Sequence, residues 1–280
     1  MRGSPISSSR SAAAALIAIL LAGAACAAEP ESAPDAKGRE HSTPSEEVLP
    51  FSGLPGRIEL RRQNSERGTP EESSRTTLRV ERYLTGTIAR LRVDLPFPDE
   101  KTDFAGDPFS PRPGDVKVRA DYKPFGLGES RLSIDTEVTF PTANPASLGT
   151  GKYQFGVALH SIPHAPDFIL ASGRHQVRFE WSVRQTVSFA GDPERKDINN
   201  TKPELALRDT IAGRDWLKLT LKPTIDWIQD GKTGAVLELE AGWNPSRDWR
   251  FSIMGGARLW GEGVSGIYNR RLELVAGRAF

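Results

Sequence analysis

The chain of 280 residues has a single cysteine, Cys26, so no disulfide can form within it. Charge of one sign is also missing. Lysine plus arginine is 37 and aspartate plus glutamate is 36, for a net charge of +1. That balance gives no hint of a nucleic-acid partner, and none is expected. Beyond residue 25 no apolar run approaches the ~18 residues of a membrane-spanning helix. If the chain spans a membrane, it does so as a closed barrel, the other structure that satisfies every backbone hydrogen bond in lipid. No amphipathic helix of three turns and no fixed-period repeat is visible. No histidine, cysteine or carboxylate pair has metal-ligand spacing, so no metal and no cofactor is expected.

What is present begins with a leader. Arg2 and Arg10 precede the Ala-rich apolar stretch 12–25, and small residues follow through Ala28. Residues 1–28 read as a secretory signal peptide. Gly23-Ala24-Ala25-Cys26 resembles a lipoprotein cleavage box, with Gly23 where that box normally carries Leu. Cys26 is then either lipidated or lost with the leader. Residues 29–50 are rich in Glu, Ser, Pro and Ala, too poor in large apolar residues to order themselves, and read as a disordered periplasmic segment. Residues 51–280 form short alternating runs punctuated by Gly, Pro, Asn and Asp, the pattern of an all-β domain.

The alternation has the strand period of two. In 175–189, Val177, Phe179, Trp181, Val183, Val187 and Phe189 oppose Arg178, Glu180 and Arg184. In 131–140, Leu132, Ile134, Val138 and Phe140 oppose Arg131, Asp135 and Glu137. In 216–227, Leu217, Leu219, Leu221 and Ile225 oppose Lys218, Lys222 and Asp226. Leu237, Leu239 and Trp243 oppose Glu238 and Glu240, and Trp249, Phe251, Ile253 and Leu259 oppose Arg250 and Arg258. Leu91, Val93, Leu95 and Phe97 oppose Arg90, Arg92 and Asp94, while Val116, Val118 and Tyr122 oppose Lys117, Arg119, Asp121 and Lys123.

A soluble β-sandwich turns the apolar face inward, and a membrane barrel turns it to lipid. Three features favour the membrane. The runs have about the 9–11 residues that cross a bilayer at a tilt. Trp216, Trp227, Trp243, Trp249, Trp260, Phe140, Phe189 and Phe280 stand near strand ends, as interfacial girdles do. Turns alternate in length, with 125–128, 212–214 and 245–247 short on the side of the C-terminus. Opposite them lie the longer 98–113, 142–150, 190–199 and 261–268. The long 163–173 and the short 230–231 break this rule. The expected fold is therefore a transmembrane antiparallel β-barrel of 10–12 strands. A hairpin at Thr85-Gly86-Thr87, with Gly56 to Arg62 as a further strand, makes twelve, the preferred count. A bulge there makes ten. Phe280 closes a final alternating run with Leu272, Leu274 and Ala276, like the sorting signal of outer-membrane barrels.

The lumen is then expected to be lined by Arg90, Arg92, Lys117, Arg119, Arg131, Asp135, Glu137, Arg178, Glu180, Arg184, Lys218, Lys222, Asp226, Glu238, Glu240, Arg250 and Arg258. Arg178 and Arg184 are the expected partners of Glu180 and Glu137. Both signs recur on nearly every strand, so the passage is narrow or closed at rest. Enzymatic chemistry is not expected. His160 and Ser161 are adjacent and point to opposite strand faces, while His164 and His175 lie in turns. Asp192, Glu194 and Asp197 read as an exposed acidic loop rather than a calcium site.

Several motifs resemble one outer-membrane family. These are Val138-Thr139-Phe140-Pro141-Thr142-Ala143 followed by Leu148-Gly149-Thr150-Gly151-Lys152-Tyr153, then Val187-Ser188-Phe189-Ala190-Gly191-Asp192 followed by Asp197-Ile198-Asn199-Asn200-Thr201, and Arg92-Val93-Asp94-Leu95-Pro96. In this order and spacing they resemble the transporters named for the meta-cleavage pathway of phenol degradation. Of the Gly-Leu-Gly-Asp that members often carry before the third strand, only Pro113-Gly114-Asp115 remains. The resemblance implies an outer-membrane barrel of a Gram-negative bacterium that takes up aromatic or hydrophobic small molecules, and it brings no catalytic residues. The partners expected are outer-membrane lipid, the barrel assembly machinery and a small-molecule solute. A non-conducting structural barrel and a secreted soluble β-sandwich are the competing readings.

Overall fold

Alternating residues along each strand set the architecture. In the computed structural model, which describes residues 55–66, 72–99, 111–127, 130–162, 168–169 and 174–280, helix is confined to two single turns, 146–148 and 227–229. The expected leader 1–28, Cys26, the segment 29–50, His41, His164, most of 98–113 and most of 163–173 lie outside the described residues, as does the side chain of Arg131. The strands are β1 (Gly56–Ser65), β2 (Ser73–Tyr83), β3 (Ile88–Pro98), β4 (Val116–Tyr122), β5 (Phe125–Leu127), β6 (Ser130–Phe140) and β7 (Lys152–Ile162). They continue with β8 (Phe168–Ile169), β9 (His175–Gly191), β10 (Asn199–Ile211), β11 (Asp215–Asp226), β12 (Lys232–Trp243), β13 (Trp249–Trp260) and β14 (Arg270–Ala279).

Each long strand pairs antiparallel with the next, β1 pairs with β14, and the ring is complete. The short β5 and β8 only edge β6 and β9, so twelve strands close the barrel. The hairpin at 84–87 separates β2 from β3, and the strand containing Gly56 to Arg62 supplies β1.

The faces are those of a membrane protein. Leu60, Phe179, Leu207, Leu219, Leu239, Ile253 and Leu274 stand exposed on the outside, each roughly half accessible. Their neighbours Glu59, Ala206, Thr220, Glu238, Ser252 and Glu273 are buried inside. An exterior this apolar is a surface for lipid. Aromatic groups gather at both rims. Phe140, Tyr153 and Phe189 form a chain at one rim, with ring centroids 6.3 and 6.0 Å apart. At the other, Phe251 stacks between Trp243 at 5.5 Å and Trp249 at 5.8 Å. Such girdles suit the two headgroup layers.

One expected girdle member points the other way. Trp216 faces inward and is buried, 4% exposed, with the Arg250 guanidinium over its ring at 4.4 Å. Its even position puts it in register with Lys218, so the alternation overrides its nearness to a strand end. Gly242 makes the room. A Cβ there would come within 1.9 Å of the Trp216 ring.

Among the described connections, 84–87, 123–124, 212–214 and 244–248 share the rim where β1 begins and β14 ends, and 111–115, 141–151, 192–198, 227–231 and 261–269 lie at the opposite rim.

Candidate functional site

The barrel encloses a polar interior, and its walls are held by ion pairs that run from strand to strand. Side chains that point inward from neighbouring strands lie close enough to bond across the ladder. Asp135 on β6 is fully buried at the centre of the largest group. It accepts from Arg119 on β4 and Arg184 on β9, both at 2.8 Å, and pairs with His160 on β7. Arg119 also bonds Asp121 at 3.0 Å, which holds Arg90 at 2.7 Å. Arg90 reaches Glu81 at 3.8 Å, and Glu81 is held by Arg57 at 2.6 Å. Glu59 then joins Arg57, Arg61 and Arg79 at 3.2, 3.5 and 3.6 Å, and Arg61 pairs with Glu273. Arg79 bonds Asp94 at 2.7 Å, Asp94 lies 3.6 Å from Arg92, and Arg92 lies 3.4 Å from Glu137, itself 3.9 Å from Arg184. The chain of pairs thus returns to its start and braces β1–β4, β6, β7, β9 and β14 as one unit.

A second group lies on the opposite wall. Lys218 reaches Glu180 at 3.2 Å and Glu204 at 3.7 Å. Lys222 bonds Glu238 at 2.5 Å and Glu204 at 3.8 Å, and Arg271 approaches Glu238 at 3.9 Å. The loop residue Tyr268 donates to Glu238 at 2.5 Å. Its hydroxyl is pushed well above the usual phenol range, first by burial and then by that carboxylate. Arg250 reaches Glu240 at 3.8 Å.

The residues assigned to the lumen from the sequence thus fall into distinct places. Arg90, Arg92, Lys117, Arg119, Asp135, Glu137 and Arg184 meet in the first group, Lys117 at 4.0 Å from Glu137. Glu180, Lys218, Lys222 and Glu238 meet in the second. The partner expected for Glu180 is corrected. Arg178 bonds Gln176 at 3.2 Å instead, because Lys218 reaches Glu180 across β10. Asp226 is buried but spent on the turn after β11, accepting from the Ile228 amide at 3.0 Å and the Gln229 side chain at 2.8 Å. Among the described residues Arg258 has no ion pair. Phe280 is paired to Gly56 by backbone bonds of 3.0 and 3.1 Å, with its ring half exposed.

Arg57, Glu59, Arg61, Arg79, Glu81, Lys202, Glu204, Arg208 and Glu273 were missed by the sequence reading. The signal was there. Arg57, Glu59 and Arg61 alternate with Ile58 and Leu60, and Lys202, Glu204 and Arg208 share parity on β10.

The motif residues assemble at the far rim. Asp115 accepts from the Thr150 amide at 2.6 Å, the Thr150 hydroxyl at 2.8 Å and the Ala143 amide at 3.2 Å. Thr142 donates to the Gly114 carbonyl at 2.9 Å. Pro113-Gly114-Asp115 therefore fastens the loop 141–151. Gly149 has to be glycine there, since a Cβ would come within 2.3 Å of Asp115. Lys152 is bonded to Asp197 at 2.9 Å. Ser161 bonds the Trp181 backbone while His160 bonds Asp135, so the two are held apart. No group of three potential metal ligands exists among the described residues.

Two cavities lie between these walls. The larger, about 790 Å³, is lined by residues of both rims, from Tyr83, Tyr122 and Pro124 to Thr224, Gly266 and Tyr268. The smaller, about 600 Å³, opens beside the 141–151 loop and is lined by Arg61, Arg79, Arg92, Asp94, Lys117 and Glu137.

No family model and no curated protein sequence matches the chain. Among solved structures, the barrel is similar to the COG4313 outer membrane channel from Pseudomonas putida F1, at 16% identity and a TM-score of 0.60, over 81% of this chain and 96% of that one. It is also similar to the KdgM porin solved with disordered oligogalacturonate, at 8% identity and a TM-score of 0.52, over 80% of this chain and 99% of that one. At these identities the likeness is one of fold: a twelve-stranded outer-membrane barrel.

Proposed function

We propose that the chain is an outer-membrane channel that passes small solutes through a narrow, charge-lined lumen, with both ends of the barrel strand order at the periplasmic rim. The observation that carries this reading is the larger cavity, lined from rim to rim inside a barrel whose exterior is apolar. A purely structural barrel would need no such space, since a small barrel can fill itself with side chains. The roles of Arg90, Arg92, Arg119, Asp135, Glu137, Arg184, Lys218, Lys222 and Glu238 are then to brace the wall and set the bore. The two similar structures, an outer membrane channel and a porin, support the same reading.

The motif resemblance supports aromatic or hydrophobic compounds as solutes. Tyr83, Tyr122 and Tyr268 along the larger cavity supply rings against which such a molecule packs. Lipid and the barrel assembly machinery are the partners this function requires. Planar-bilayer recording of the refolded barrel, with swelling of vesicles in neutral aromatic solutes, tests it. Discrete conductance steps are expected. Their absence, with no swelling in either phenol or sugars, refutes the channel and leaves a structural barrel.

A further inference from the structure

We infer that the larger cavity is a binding site for small anions, carboxylate or phosphate in chemistry, held by Lys202, Arg184 and Arg208. This rests on the lumen being accessible to solute, as the proposed channel requires.

The larger cavity is lined by eight lysine and arginine side chains against four aspartate and glutamate side chains. Counting Asp135 behind the wall, three cations remain in excess. Most cations of this cavity are answered. Arg90 and Arg119 share Asp121, Arg184 is on Asp135, Lys218 and Lys222 share Glu204, and Arg271 approaches Glu238. Lys202 and Arg208 are not. Among the described residues neither has an ion pair to a carboxylate, and the Arg208 guanidinium lies over the Trp216 ring at 5.6 Å. The charges acting most on Lys202 are three cations, Lys117, Arg184 and Arg271, and one carboxylate, Glu137.

The register makes the imbalance sharper. Lys202 stands directly across from Arg184, and Arg208 directly across from Arg178 on one side and Lys218 on the other. Like charges in direct opposition destabilise a sheet. In addition, on the wall of this cavity the Nη1 of Arg184, 3.9 Å from Glu137, and the Nε of Arg208 are buried without a hydrogen-bond acceptor. Unused donors on crowded cations are what a bound anion satisfies. Lys202 and Arg208 are six residues apart, about 20 Å along the strand. An anion leaving one position therefore finds the next along the same wall.

The test is titration calorimetry of the folded, detergent-solubilised full barrel with benzoate and, separately, inorganic phosphate, with benzyl alcohol as the neutral control. Binding of benzoate or phosphate but not of benzyl alcohol is expected, weakened at least tenfold by Lys202→Gln. The two anions distinguish an organic carboxylate from a phosphate ligand. Binding of neither overturns the inference, as does binding that Lys202→Gln leaves unchanged. If that variant does not fold, Arg208→Gln serves in its place with the same expectation. In parallel, a salt gradient across a bilayer reads the sign of selectivity. Anion preference is expected and should reverse in Lys202→Glu. A conducting barrel that prefers cations refutes the anion site and leaves the channel standing, whereas anion binding without conductance refutes the channel alone.

Discussion

Asp135 is the residue on which the braced wall depends most. Replacing it with Ala leaves Arg119 and Arg184 facing each other without the carboxylate that both now bond at 2.8 Å. Breaking a buried pair by removing one partner costs roughly 3–5 kcal/mol, because the remaining charge is uncompensated. Here each arginine keeps a second carboxylate, Arg119 on Asp121 at 3.0 Å and Arg184 near Glu137 at 3.9 Å. The expected loss is therefore at the lower end, about 3 kcal/mol. Reversible unfolding in urea, with the barrel in lipid vesicles, measures it. The triple change Asp135→Leu, Arg119→Met, Arg184→Met removes the charges together and should cost less than Asp135→Ala alone, since no ion is left stranded. If Asp135→Ala lay within about 0.5 kcal/mol of the unaltered chain, near the value of an exposed pair, the carboxylate would not be working as a buried ion. If the triple variant were the least stable of the set, volume rather than charge would hold the wall.

Three further perturbations separate the faces and the rims. Leu219→Arg, on the exposed outer face, should cost roughly 2–4 kcal/mol in vesicles, and Lys218→Gln much less; the reverse order would mean that the apolar face is not in lipid. Gly242→Ala puts a methyl group where the Trp216 ring lies 1.9 Å away. It should destabilise by about 1–3 kcal/mol and shift the tryptophan emission, and an unchanged spectrum would place Trp216 outside the barrel. Asp115→Ala removes the acceptor of the Thr150 and Ala143 amides, so hydrogen exchange at those two amides should quicken while exchange at β11 and β12 stays slow.

The strands were legible because inside and outside differ at every second residue. Leu217, Leu219 and Leu221 against Lys218 and Lys222 declare a strand and its two faces without any knowledge of its neighbours. Pairing is another matter. That Glu180 meets Lys218 rather than Arg178 depends on β10 lying between β9 and β11 in a fixed register, with Ala206 between them small enough to reach across. Nothing local encodes that. Trp216 shows the opposite failure. Its parity with Lys218 puts it inside, while the preference of tryptophan for strand ends points to a girdle, and Gly242, which makes its pocket, is 26 positions away. The rim motif was visible as words without grammar. Asp115 stands in the sequence as the remnant of a family pattern, and only the fold brings it against Thr150.

The seam between β1 and β14 bears on how the barrel is made. Arg61 and Glu273 are 212 positions apart, yet they stand on adjacent strands. Until β14 exists, β1 offers a row of unpaired amides and carbonyls that lipid cannot satisfy. A partly made sheet is therefore excluded from the bilayer interior, and crossing the membrane and sealing the seam have to happen together. Contacts so distant in sequence form slowly. The chain must be sheltered through that delay, and its speed of assembly should be set by that last, longest-range pairing rather than by any single hairpin.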